Sequence, residues 1–420
     1  MVDSIPLYSC RKLLELPKGI GNLKRLTVLN IEGCNKLRCM PSGIGQLTSL
    51  RQLGLFFVGC GRDDARISEL ENLDKLSGEL EIRNLKYLKD PCDAKKACLK
   101  QKNGIKTLVL DWSLDEEEKE LASDVEQEQG VLSALEPPSH IESLKIKGYQ
   151  GLCLPRWLME QNGSSYSEGT TLKQTGPCQY PSITDCPQLS AVKPYFPPSL
   201  EKLSLHRSDL QLLSPSNFSR LLPSPANESS SSSSLHSAVP HLRELQLDGI
   251  VGSSSDWELL RHHTKLETIS IEFCDDLTQV PESIRSLTSL QVLHIFRCPA
   301  LGALPEWLGE LCSLRDLEIR CDNLKMLPDA IQHLTSLESL ALMCCRALAE
   351  LPEGIGQLSA LRRLHIDGLR IRWKIQYLPA LQSLVIYDCP ALASRYKQGV
   401  GPDWHLVSHI PRVWIFPTED

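Results

Sequence analysis

The pattern L-x-x-L-x-[LI] returns at Leu242, Leu266 (with Ile269 for the second leucine), Leu290, Leu314, Leu337, Leu361 and Leu381, in steps of 24, 24, 24, 23, 24 and 20 residues. A unit this short cannot enclose a core of its own, so such a chain is stable only as a stack in which each unit buries its leucines against the next. In Leu290-Gln-Val-Leu293-His-Ile295, two-residue alternation sends Leu293 and Ile295 inward and Val292, His294 and Phe296 outward. Several strands are followed by L-x-x-[LV]-P-x-x-[IL]-x-x-L, as at Leu277 to Pro281, Leu301 to Pro305, Leu324 to Pro328 and Leu348 to Pro352, with earlier copies at Leu13 to Pro17 and Leu37 to Pro41. The proline ends the extended segment, and apolar residues three apart, such as Ile284 and Leu287, bring the chain back in loops or 3-10 turns.

The expected fold is therefore α/β, a leucine-rich-repeat solenoid. Its curved parallel sheet lines a concave face, and loops, 3-10 turns and short helices form the convex one. Four regions follow: residues 1–55, repeats that start mid-repeat; 56–240, irregular repeats; 241–395, regular repeats; and 396–420, a C-terminal cap or tail. In the irregular region, Ile105-x-x-Leu108-x-Leu110, Ile141-x-x-Leu144-x-Ile146 and Leu200-x-x-Leu203-x-Leu205 read as strands. Asp115 to Leu135 reads as an acidic helix stopped by Pro137-Pro138, its run Asp115-Glu-Glu-Glu118 being a solvated helix start rather than a metal site. Tyr180-Pro-Ser-Ile183 looks like a repeat that has lost the middle of its strand. A weak stretch is expected over 160–180, and the serines 229–234 are expected to form a surface loop. At the start, Val2-x-x-Ile5-x-Leu7-x-x-Cys10 aligns with Leu26-x-x-Leu29-x-Ile31-x-x-Cys34, so the chain enters on a strand without a cap; either an upstream segment or another chain would cover that edge.

Composition narrows the chemistry. A net charge of -7 argues against nucleic acid, whose phosphates demand a basic face. No apolar run reaches membrane-spanning length, and Met1-Val2-Asp3-Ser4 has no basic segment followed by an apolar one, so a cytoplasmic chain without membrane contact is expected. None of the 16 cysteines forms a C-x-x-C pair. Cys10, Cys34, Cys186, Cys274, Cys298, Cys345 and Cys389 share one repeat position, where a small buried side chain is wanted, which reads as reduced structural thiols. The pairs Gly19/Gly21, Gly43/Gly45 and Gly354/Gly356 sit in repeat returns, and no G-x-x-x-x-G-K-[ST] loop occurs. His262-His263 reads as ordinary surface histidines. Trp307, at a return position used by glycine elsewhere, reads as convex packing, and Asp403-Trp404-His405 as part of a C-terminal cap. No set of acid, base and nucleophile appears, so neither an enzyme, a cofactor nor a metal is expected.

Outward strand positions make two rows. One carries Gln246, Ser270, His294, Glu318, Ala341, His365 and Val385; the other carries Asp248, Glu272, Phe296, Arg320, Met343, Asp367 and Tyr387. Apolar Phe296, Met343 and Tyr387 beside the forked donor Arg320 make the mixture that protein interfaces use as anchors, against the plainer reading of tolerated surface residues. The candidate partner-binding set is His294, Phe296, Glu318, Arg320, Met343, His365, Asp367 and Tyr387.

Three features resemble plant nucleotide-binding leucine-rich-repeat disease-resistance receptors of the coiled-coil class. The first is the repeat style of Leu351-Pro-Glu-Gly-Ile355-Gly-Gln-Leu358. The second is the segment from Ile67-Ser-Glu-Leu70 through Leu76-Ser-Gly78-Glu-Leu80-Glu-Ile82 and Asp93-Ala94-x-x-Ala97-x-Leu99-x-x-Lys102 to Leu108-Val-Leu110-Asp-Trp112. The third is the tail from Gly401-Pro-Asp-Trp404 through Ile415. The resemblance implies a sensor region that recognises a pathogen effector or a guarded host protein and restrains a nucleotide-binding switch domain. That switch would have to lie upstream, since its phosphate loop is missing here. The competing reading is a truncated receptor-like product or a generic scaffold without signalling of its own.

Overall fold

The computed structural model describes residues 4–7, 10–34, 36–113, 124–159, 180–186, 188–189, 196, 200–217, 241–369 and 378–416. Two compact units emerge, residues 1–204 with 214–238, and residues 205–213 with 239–420. In the first, β1 (Ser4–Pro6), β2 (Val28–Asn30) and β3 (Gln52–Leu53) form a parallel sheet in which Ile5, Leu29 and Leu53 align. Then β4 (Leu55–Phe57), β5 (Ser77–Arg83), β6 (Gly104–Asp111), β7 (Ser143–Lys147) and β8 (Tyr180–Thr184) pair in order, all parallel. β9 (Lys202–His206) lies across the division between the units.

The second unit holds β10 (Glu244–Asp248), β11 (Thr268–Glu272), β12 (Val292–Phe296), β13 (Asp316–Arg320), β14 (Ser339–Met343), β15 (Arg363–Asp367), β16 (Ser383–Tyr387) and β17 (Arg412–Phe416), each parallel to the next. The inward pairs expected from alternation, such as Ile269/Ile271, Leu293/Ile295 and Leu317/Ile319, are all fully buried. Prolines 281, 305, 328 and 352 each immediately precede a 3-10 turn, over Glu282–Ser286, Glu306–Glu310, Asp329–His333 and Glu353–Gln357. Ile284, Leu308, Ile331 and Ile355 anchor those turns in the core.

Strand ends share a device that the repeat pattern does not announce. The residue directly after the strand is left-handed (φ between 44° and 71°) at Gly148, Asp185, Arg207, Gly249, Phe273, Arg297, Cys344, Gly368 and Asp388. Its amide continues the ladder: Phe273 N donates to Phe296 O (3.0 Å), Arg297 N to Arg320 O (2.7 Å) and Cys344 N to Asp367 O (2.9 Å). After β13 that residue is missing, and Arg320 runs directly into Cys321. This deletion accounts for the single 23-residue step, and the β13–β14 register accordingly stops at Ile319–Leu342, leaving Arg320 and Met343 unpaired with each other.

Several expectations need correction. Tyr180–Thr184 is a complete strand, with buried Pro181 taking the inward place opposite Leu144; proline suits an extended backbone and sacrifices only an N–H. The described helix is shorter than the expected Asp115–Leu135: it spans Val125–Ala134 and is N-capped by Asp124, while residues 114–123 lie outside the described residues. Most of the 160–180 stretch and the serines 229–234 also lie outside them. Cys10 is exposed instead of buried. His263 is fully buried, not a surface residue, and its Nε2 bonds Leu213 O at 2.8 Å. Within 396–420, β17 continues the sheet beside β16.

Candidate functional site

Parallel pairing without slippage sets outward side chains of successive strands side by side. Through β10 to β13 the register aligns Gln246, Ser270, His294 and Glu318 in one row, and Asp248, Glu272, Phe296 and Arg320 in the next. From β14 to β17 it aligns Ala341, His365, Val385 and Trp414, then Met343, Asp367, Tyr387 and Phe416. The expected set, His294, Phe296, Glu318, Arg320, Met343, His365, Asp367 and Tyr387, thus lies on one face of one unit. Trp414 and Phe416 extend it. Their signal was the alternation in Arg412-Val-Trp-Ile-Phe416, read only as tail.

The two halves of this face differ in chemistry. On β10 and β11 the polar groups serve one another: His206 Nδ1 lies 3.1 Å from Asp248 Oδ2, while Gln246 Nε2 (3.3 Å) and Ser270 Oγ (2.8 Å) both donate to Glu272 Oε1. His294 stacks on Phe296 with centroids 5.5 Å apart. Glu318 and Arg320 have no side-chain hydrogen bond or ion pair among the described residues. A half-buried guanidinium with its fork unengaged is a donor held ready for a carboxylate. Toward β17 the face turns apolar, with Tyr387 52%, Trp414 45% and Phe416 47% exposed, and Tyr387 and Phe416 rings 5.9 Å apart.

The outward face of the first unit is more self-satisfied. Glu81 accepts from Arg83 Nε (3.1 Å) and Lys147 Nζ (3.0 Å), and Arg83 lies over Phe57. Burial pushes the Glu81 carboxyl upward, but these two cations outweigh it and hold it below its ordinary range. Asp111 beside them is raised, burial being the main cause, although Ser113 N donates to it at 2.8 Å. Near the start of that unit, the amides of Gly43 and Gly45 are occupied by Glu69, whose Oε2 takes them at 2.9 and 2.8 Å. A side chain of the chain itself therefore fills this anion cradle.

The cysteine position forms a column. Cys298, Cys321 and Cys345 point Sγ at the carbonyls of Ile271, Ile295 and Ile319 in the preceding strand. Cys321 was missed in the sequence because the deletion after Arg320 brings it one residue early. The Cys298 thiol is pushed up to about 12 by its hydrogen bond with Cys274, and burial pushes Cys345 up to about 12 and Cys389 to about 11. Protonated, buried thiols are structural groups. No cluster of His, Cys, Asp and Glu suited to a metal occurs among the described residues. No described helix is long and apolar enough to cross a membrane.

Known proteins carry the same repeats. Residues 67–208 match a family described as R13L1/DRL21 LRRs, and residues 302–398 match one described as a leucine-rich repeat region. The putative disease resistance protein RGA1 of Solanum bulbocastanum is 32% identical over 160 residues, 38% of this chain and 14% of that protein. Disease resistance protein RGA2 of the same species is 36% identical over 111 residues, 26% of this chain and 11% of that protein. The chain's match thus spans about a seventh or less of those relatives' length. Among solved structures, the mouse RP105/MD-1 complex aligns with TM-score 0.51 and 17% identity over 96% of this chain and 61% of that one, a likeness of fold alone.

Proposed function

We propose that this chain is the protein-binding sensor of an intracellular immune receptor, a reading supported by its likeness over part of its length to leucine-rich repeats of plant disease resistance proteins. In this reading it acts by binding and not by catalysis. It recognises a pathogen effector or a guarded host protein, and restrains an upstream nucleotide-binding switch in the cytoplasm. The observation that carries the reading is the outward face of β12 to β17, where Phe296, unengaged Arg320, Met343 and Tyr387 stand on four separate strands of one parallel sheet. A rigid sheet presents such anchors without ordering cost, which favours affinity. The partner expected from the gradient is basic where it meets Asp248 and Glu272, and apolar where it meets Tyr387.

The test replaces Phe296, Arg320, Met343 and Tyr387 together by alanine in a reconstructed full-length receptor whose immune response is scored. Truncating one anchor of this kind costs about 2 kcal/mol, roughly thirtyfold in affinity. Effector or guardee binding and the response are expected to fall while the melting temperature holds. Intact affinity and response would place recognition elsewhere.

A further inference from the structure

Among the described residues, the last strand leaves an edge open. β17 aligns Arg412, Trp414 and Phe416 with Ser383, Val385 and Tyr387 of β16, and it ends the sheet. Successive residues of a parallel strand direct their backbone groups alternately to either side. Arg412 N donates to Gln382 O at 3.2 Å, so Arg412, Trp414 and Phe416 bond toward β16, and the N–H and C=O of Val413 and Ile415 point away from it. Natural edges are guarded by charge, proline or a bulge; the interior Val413-Trp-Ile415 has none of these. The side chains are equally unfinished. Trp414 and Phe416 are nearly half exposed, while Val413 and Ile415 border a groove of about 650 Å³ with Pro390, Ala393 and Trp404.

We propose that this edge is a self-association site, at which β17 of a second copy adds antiparallel about a two-fold axis through Trp414. Centred there, Val413 faces Ile415 of the second copy and Ile415 faces its Val413. Every outward N–H and C=O of those residues then finds a partner. Arg412 comes to lie opposite Phe416 of the second copy, a contact this molecule already makes internally where Arg297 sits 5.1 Å from the Phe273 ring and Arg83 sits 5.9 Å from that of Phe57. In-register parallel addition would instead set Arg412 beside Arg412, which like charge disfavours. Trp414 meets its counterpart on the outward face as a close, non-hydrogen-bonded pair. On the core side, Val413 and Ile415 of each copy project toward the groove of the other. The contact is isologous and closes at two copies. It shares the outward residues Trp414 and Phe416 with the recognition surface proposed above, but it rests on the strand edge and not on that reading.

Sedimentation equilibrium of the 420-residue chain under reducing conditions is expected to show a concentration-dependent dimer. Arg412→Glu, an exposed change, is expected to raise its dissociation constant at least tenfold with an unchanged melting temperature. Trp414→Cys is expected to give, on mild oxidation, a disulfide between the two copies that peptide mapping assigns to position 414 in both. Phe416→Cys is expected to give none, since it faces Arg412. The unsubstituted chain controls for exposed cysteines such as Cys60 and Cys312. A monomer at all concentrations up to about 100 μM, a dimer indifferent to Arg412→Glu, or equal cross-linking at 414 and 416 would each overturn the proposal.

Discussion

Left-handed residues close many of the described strands, and where glycine takes that place the room around its missing Cβ differs from site to site. Gly368 (φ 71°) has room for a methyl group, whose nearest contact would be Cys344 Cα at 3.4 Å, whereas one on Gly148 (φ 66°) would lie 2.7 Å from Ser113 N. Gly368→Ala is therefore expected to cost only the left-handed penalty, about 1 kcal/mol. Gly148→Ala should cost clearly more, because backbone must shift as well. Urea midpoints of the two variants check the order, and equal losses would contradict it. His263 offers a second test. Burial lowers its pKa despite the bond to Leu213 O, so the folded state binds this proton less readily than the unfolded chain does. Its contribution is complete above the unfolded value of about 6.5 and is lost as pH falls toward the folded one. His263→Gln can keep the bond to Leu213 without titrating, and its melting temperature should fall less between pH 7.5 and pH 5 than that of the parent chain.

Among the elements, β10 to β16 follow one rule, and a single inward position tests it. Leu293 is fully buried between Ile269 and Leu317 of the flanking strands, and Leu340 between Leu317 and Leu364. Aspartate at either place buries an unpaired carboxylate at a cost of several kcal/mol, against a net stability of about 5–15 kcal/mol for a typical domain. Because repeats hold their neighbours, amide exchange should accelerate through β11 to β14 in Leu293→Asp. Unchanged thermal unfolding in both variants would refute the inward assignment. These positions were legible in the sequence because their spacing repeats. The return turns were legible too, since proline and the isoleucine or leucine after it recur at constant offset. Pro181 was not, because a proline in a leucine place breaks the pattern that a sequence reader looks for while satisfying the extended backbone.

At the scale of the whole molecule, the proposed recognition surface and the core draw on opposite faces of the same strands. Alanine at Phe296, Arg320, Met343 and Tyr387 should leave unfolding unaltered, since the core beneath them is Leu293, Ile295, Leu317, Ile319, Leu340, Leu342, Leu384 and Ile386; a large fall in melting temperature would mean that the outward face also holds the fold. The eight candidate residues were found by counting from the repeat, but their partners could not be counted. That Glu318 and Arg320 stand unengaged while Glu272 is satisfied by Gln246 and Ser270 depends on which strands lie side by side. The sequence by itself determined the parallel stack, the inward leucines, the proline-led returns and the two outward rows, because each follows from periodicity acting through local backbone geometry. Only the tertiary structure decided the left-handed strand ends, the place of Cys321 in the thiol column, the capture of the Gly43 and Gly45 amides by Glu69, the burial of His263 and the docking of β17 beside β16. Each of these joins groups from separate repeats or from outside the regular period, and a hydrogen bond or packed contact between them exists only after the stack has formed.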